Sequence, residues 1–110
     1  KLAVVSNKPD EATRTLAARF FPGLAALGQR DGIPSKPAPE MVWSAMEQLG
    51  VDARHALYVG DSEVDVEMAR RAGLPLAAVA WGFRGRALLE QAGARCIVDT
   101  VPELLAVATE

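Results

Sequence analysis

Short apolar runs alternate with helix-length amphipathic segments along the whole chain, and this alternation restricts the fold more than any other feature. Residues 2–5 are too short for a helix and run into the turn-prone Ser6-Asn7-Lys8-Pro9-Asp10, so they read as a buried strand. From residue 10 to about 21, Ala12, Leu16, Ala17 and Phe20 recur at helical spacing until Pro22-Gly23 ends the segment. Residues 24–27 are a weaker strand candidate, because alanine has low strand propensity. A polar, proline-studded loop over 29–39 leads into a helix that starts at Pro39, runs through Leu49 and stops at Gly50. Residues 56–59 form the clearest strand. Ser62 caps a helix reaching Ala72 and closed by Gly73. A strand over 76–80, a loop over 81–85, a short helix over 86–92 closed by Gly93, and a strand over 96–98 follow. Thr100-Val101-Pro102-Glu103 is a capping box that opens a terminal helix to about Thr109.

Strands that alternate with helices of about ten residues, and are apolar on both faces, imply right-handed crossovers and a covered parallel sheet. The expected fold class is α/β, a Rossmann-like parallel sheet with helices on both faces, and residues 1–110 read as one layered unit. Half of the 110 residues are hydrophobic (50%) and 24% are charged, which provides a core and excludes a disordered chain. A net charge of −2 offers no basic excess to neutralise a phosphate backbone, so no nucleic-acid partner is expected. The single cysteine cannot form an internal disulfide. No apolar stretch is long enough to span a bilayer and no signal peptide is visible, so the expectation is a soluble, cytoplasmic protein without membrane contact. The chain opens on Lys1 and enters a strand at once, as a piece of a longer chain would.

In folds of this class ligands bind beyond the carboxyl ends of the strands, and three polar clusters fall there. Asp61 follows an apolar strand and a glycine, so a rigid element holds its carboxylate at the rim of the sheet. Asp65 lies four residues on and can face the same side, which makes the pair a candidate site for a hard cation such as magnesium. Ser62-x-x-Asp65 is equally a helix cap, so for Asp65 both readings stand. Lys36 lies between Pro34 and Pro37, which restrict its backbone, and just ahead of a helix start suited to anions. The plain alternative is a solvated loop lysine. Ser6 and Asn7 supply a hydroxyl, an amide and backbone N–H groups for a phosphate, or serve only as turn and cap residues. His55 reads as a surface residue, Cys96 as core, and Met41, Trp43 and Met46 as packing. Trp81-Gly82-Phe83-Arg84 is either a pocket wall, with Arg84 meeting an anion, or ordinary packing.

In this order the clusters resemble the haloacid-dehalogenase-like (HAD-like) phosphohydrolase superfamily. They are Val4-Val5-Ser6-Asn7-Lys8, then Lys36-Pro37-Ala38-Pro39-Glu40, then Val59-Gly60-Asp61-Ser62-Glu63-Val64-Asp65. The spacing and the later Ala80-Trp81-Gly82-Phe83 resemble the phosphoglycolate phosphatase branch. The resemblance covers nearly the whole chain and implies a role for each matching residue. Ser6 would hydrogen-bond the transferring phosphoryl oxygens, and Asn7 would bind them through its backbone N–H. Lys36 would neutralise phosphate charge and orient the nucleophile. Asp61 would ligate Mg²⁺, with Asp65 on the metal or its waters. The implied reaction is hydrolysis of a small phosphorylated metabolite through an aspartyl-phosphate.

The family's nucleophile lies in an Asp-x-Asp-Gly-Thr motif after its first strand, and no such motif occurs here; Asp31-Gly32 and Asp99-Thr100 stand in the wrong places. The cap domain is missing too. The chain is expected to be the carboxyl-terminal portion of such an enzyme, lacking the central first strand and inactive alone. An N-terminal segment in cis or trans would supply the nucleophile, and its vacancy would expose two strand edges. The alternative is a non-catalytic module, degenerate HAD-like or receiver-like, that binds Mg²⁺ or a protein partner. Dehalogenase or phosphomutase chemistry is a lesser option on the same scaffold.

Overall fold

The computed structural model describes residues 1–82 and 84–109, and it divides the chain into two compact units, Lys1–Asp52 and Ala53–Glu110. In the first unit the order is β1 (Ala3–Pro9), α1 (Asp10–Phe20), β2 (Ala25–Gln29) and α2 (Glu40–Leu49). β1 and β2 pair in parallel, with Ala3 opposite Ala25, Val4 opposite Ala26 and Val5 opposite Leu27. Both helices pack on this pair. Leu27 and Met41 are the fully buried large side chains of its core. α2 stops where the sequence predicts, at Gly50, whose φ of 69° is the left-handed value glycine tolerates best.

The second unit opens with a 3₁₀ turn at Ala53–His55 that the sequence pattern does not announce. Then come β3 (Tyr58–Gly60), α3 (Glu63–Ala72), β4 (Leu76–Val79), α4 (Arg86–Gln91), β5 (Ile97–Val98) and α5 (Val101–Ala108). Its sheet is parallel with β4 in the middle, where Ala77 and Ala78 are wholly buried; Met68 and Leu89 are the fully buried large side chains of this unit. α3 is capped as expected: Ser62 Oγ accepts from the Asp65 N–H at 3.4 Å, and Gly73 closes the other end with φ 75°. Thr100 caps α5 in the same way.

The α/β class with parallel sheets flanked by helices is as expected, and the strands pair within each unit, β1 with β2 and β3 with β4 and β5. β1 has β2 as its sole strand neighbour and β3 has β4, each in its own unit, among the described residues. Two apolar side chains expected to be covered are exposed: Leu2, just ahead of β1, at 69%, and Val59, in β3, at 45%. The predicted inward face of the first helix is also rotated. Thr13 and Ala17 are buried, whereas Leu16 and Phe20 face outward around an apolar hollow of about 280 Å³ that Val4 and Ser6 help to line. Trp43 is exposed rather than packed, and Cys96 only half-buried. No helix among the described residues is long and apolar enough to cross a membrane.

Candidate functional site

Within the first unit, residues 6–8 do not form the turn that their composition suggests. The strand runs on to Pro9, and the pairing slips between Val5 opposite Leu27 and Pro9 opposite Gln29. Ser6, Asn7 and Lys8 therefore stand against the single Gly28, a bulge of the kind that re-aims side chains at sheet ends. Gly28 makes this possible because a Cβ there would lie 2.5 Å from Thr13 Oγ1 and 2.6 Å from the Lys8 carbonyl oxygen. Its N–H donates to Asp10 Oδ1 at 2.9 Å, and the buried Thr13 hydroxyl donates to the Pro9 carbonyl at 3.1 Å. That Gly28 N–H, with the Arg14 guanidinium, holds the Asp10 carboxyl below its usual range. The start of α1, the bulge and β2 are thereby fastened together.

The bulge presents two of the residues singled out from the sequence. Ser6 is half-buried and its Oγ accepts from the Lys8 N–H at 3.1 Å, so its own proton remains to be donated outward. Asn7 is exposed, and its Oδ1 accepts from the Lys36 N–H at 2.9 Å. Ser6, Asn7 and the Lys36 loop are thus brought together by one hydrogen bond spanning 29 positions. Lys36 is half-buried, precedes a cis proline at Pro37, and lies in a loop that Ala38 N–H closes onto the Ser35 carbonyl at 3.0 Å.

Within the second unit, β3 ends at Gly60 and delivers Asp61. The Asp65 carboxylate is buried against the loop that carries it. Its Oδ1 accepts from the Tyr58 hydroxyl at 2.8 Å, and its Oδ2 accepts from the Asp61 N–H and the Ser62 hydroxyl, each at 3.1 Å. Tyr58 and Gly60 lie on the same face of β3 because side chains alternate. A Cβ on Gly60 would come within 2.7 Å of Asp65 Oδ2, so the glycine leaves the slot that the carboxylate fills. Burial, with Asp65 beside it, pushes the Tyr58 phenol well above its usual value and keeps it a neutral donor. Nothing in the apolar pattern of residues 56–59 marks Tyr58 for this role; the signal was its hydroxyl, two residues before the glycine.

Asp61 is in the opposite condition. It is half-buried, and neither carboxylate oxygen has a hydrogen-bond or ion-pair partner among the described residues. Gly82, in the loop after β4, abuts it so closely that a Cβ would lie 2.6 Å from Asp61 Oδ2. Arg84 of the same loop pairs with Glu63 at 3.5 Å, so this arginine already has an anionic partner within the chain. Phe83, part of the same sequence motif, lies outside the described residues. No group of three or more acidic, histidine or cysteine side chains among the described residues is arranged to hold a metal. One unpartnered carboxylate at a strand end nevertheless suits magnesium, which takes one or two protein carboxylates and keeps its waters.

The family model of HAD-like hydrolases matches residues 33–104, a span that holds Lys36, Asp61 and Asp65. The chain belongs to the HAD-like hydrolases. It is similar to the plasmid-encoded phosphoglycolate phosphatase of Cupriavidus necator, with 39% identity over 99% of this chain and 48% of that protein. It is also similar to the phosphoglycolate phosphatase of Aquifex aeolicus, with 38% identity over 76% of this chain and 40% of that protein. Among solved structures, a protein from Lactobacillus delbrueckii subsp. bulgaricus assigned as a phosphoglycolate phosphatase matches with a TM-score of 0.94 and 45% identity. That match covers 98% of this chain and 46% of the other. These matches bear out the phosphoglycolate phosphatase-like branch and the Rossmann-like, HAD-like fold. This HAD-like chain spans about half the length of the relatives it matches.

Proposed function

We propose that the chain carries part of the machinery of a Mg²⁺-dependent phosphatase acting on a small phosphorylated metabolite of the phosphoglycolate kind. The observation that carries this reading is the contrast between two carboxylates four residues apart. Asp65 is consumed in holding the loop, while the Asp61 carboxylate is presented without a partner among the described residues. In this reading Asp61 holds the metal, and Asp65 acts on the Asp61 backbone rather than as a direct ligand. Mg²⁺, when bound, supplies charge neutralisation for the phosphoryl oxygens. Lys36 neutralises phosphate charge, Ser6 donates its hydroxyl proton to a phosphoryl oxygen, and Asn7 stands beside both.

The nucleophile is an aspartate of an Asp-x-Asp-Gly-Thr segment supplied in cis or trans. Its carboxylate forms a bond to phosphorus as the ester oxygen leaves; water then hydrolyses the aspartyl-phosphate and frees inorganic phosphate. The strand of that segment would also cover apolar surface beside β1, where Leu2 is exposed. The chain alone is inactive and the complete enzyme is cytoplasmic in this account.

The test is phosphoglycolate and p-nitrophenyl phosphate turnover with Mg²⁺, by the chain alone and after adding the amino-terminal half of the Cupriavidus necator relative. The expected result is turnover only in the combination, abolished by Asp61→Asn. Turnover by the chain alone, insensitive to Asp61→Asn, would overturn the proposal.

A further inference from the structure

We infer that Asn7 is a positioning residue that acts through its side chain, by fixing the backbone of Lys36. The inference rests on the phosphate role given to Lys36 above, and it differs from a role in which Asn7 contributes only its backbone N–H. The Asn7 Oδ1 to Lys36 N–H bond, 2.9 Å long, joins the bulge of β1 to a loop 29 residues away. Among the described residues, the loop's own backbone bonds include those from Ile33 to Arg30 and from Ala38 to Ser35. Neither holds the Lys36 amide, which is fixed from the bulge instead. The bulge is what frees Asn7 for this: three residues opposite one lift its side chain out of the regular alternation of the strand.

The chemistry of the side chain fits the task. A carboxylate at position 7 could accept the same hydrogen bond but would place negative charge where an anion is to be bound. A serine hydroxyl reaches one bond less far. An amide oxygen is the neutral acceptor of the right length, which explains an asparagine beside the serine without asking its amide to touch substrate.

The experiment uses the full chain and two readouts. Hydrogen exchange of the Lys36 amide is followed by NMR in wild type, Asn7→Ala and Asn7→Asp, and inorganic phosphate is titrated into the same proteins. It is also titrated into Lys36→Met and Asn7→Ala/Lys36→Met. Asn7→Ala keeps the backbone N–H and loses the acceptor, so Lys36 exchange should quicken about five- to tenfold, the size of one hydrogen bond. Asn7→Asp should restore the slow exchange while still weakening phosphate. Phosphate affinity should fall about fivefold in Asn7→Ala but less than twofold when Lys36 is already methionine, because the effect passes through the lysine.

Unchanged Lys36 exchange in Asn7→Ala would overturn the inference, and so would an equal loss of phosphate affinity in both backgrounds. A Lys36→Met variant that binds phosphate as wild type does, with exchange quickened in Asn7→Ala, would uphold the link. It would refute instead the phosphate role of Lys36.

Discussion

Replacing Tyr58 by phenylalanine removes one oxygen and leaves the buried ring in place, so it removes the hydrogen bond to Asp65. That bond is 2.8 Å long, its acceptor is a carboxylate, and both residues are only 6% exposed. A hydrogen bond to a charged group in such surroundings contributes about 1.5–3 kcal/mol. The aromatic ring stays buried, so the loss is chiefly that of this bond and of the donor taken from the Asp65 carboxylate. For a domain of this size, about 2 kcal/mol corresponds to a Tm lower by roughly 10 °C. Urea unfolding followed by circular dichroism measures it directly.

The pH dependence gives an independent handle. The phenol of the folded protein ionises well above the ordinary value of 10.0, whereas the unfolded chain releases that proton near the ordinary value. The folded state therefore binds more protons above about pH 10, and stability falls as pH rises through that region. In Tyr58→Phe this component of the alkaline loss should vanish. Equal stability of the two proteins at pH 7, together with identical alkaline profiles, would refute the reasoning that Tyr58 braces the Asp61 loop.

Gly28→Ala places a methyl group against the Lys8 carbonyl and the Asp10 Cα, backbone atoms that cannot rotate away. It should destabilise the protein by about 1–3 kcal/mol in urea unfolding. Wild-type stability in the same assay would show that the bulge can shift to make room. At acid pH, hydrogen bonds from Arg70 and Arg71 lower the Glu67 carboxyl to about 2, and the Gly28 N–H lowers Asp10. Both are held below their unfolded values, so their contributions are present above about pH 4.5 and are lost as pH falls toward 2. Glu67→Gln should flatten that part of the profile of thermal stability against pH, and an unchanged profile would count against it.

The elements legible in the sequence are those whose signals are local. Pro39 and Gly50, Ser62 and Gly73, and Thr100 with Glu103 bound their helices because caps act over one turn. Signals that depend on distant partners are not legible in the same way. Ser6-Asn7-Lys8-Pro9 has turn composition, yet it continues as strand because Gly28, on another element, leaves room for it. Leu16 and Phe20 keep helical spacing with Ala17, but the neighbours of α1 bury the side that carries Thr13. The candidate residues Ser6, Asn7, Lys36, Asp61 and Asp65 were all proposed from residue type and position alone. What their side chains do was not: Asn7 reaches Lys36 and Tyr58 reaches Asp65 through bonds that no spacing rule encodes.

The division of labour between Asp61 and Asp65 is tested most directly by adding Mn²⁺, a paramagnetic stand-in for Mg²⁺, to the ¹⁵N-labelled chain. The account predicts broadening of amide signals centred on Gly60, Asp61, Ser62 and Gly82, competed by Mg²⁺ and lost in Asp61→Asn. Broadening that survives in Asp61→Asn, or that centres on the exposed acids of the surface helices, would contradict it.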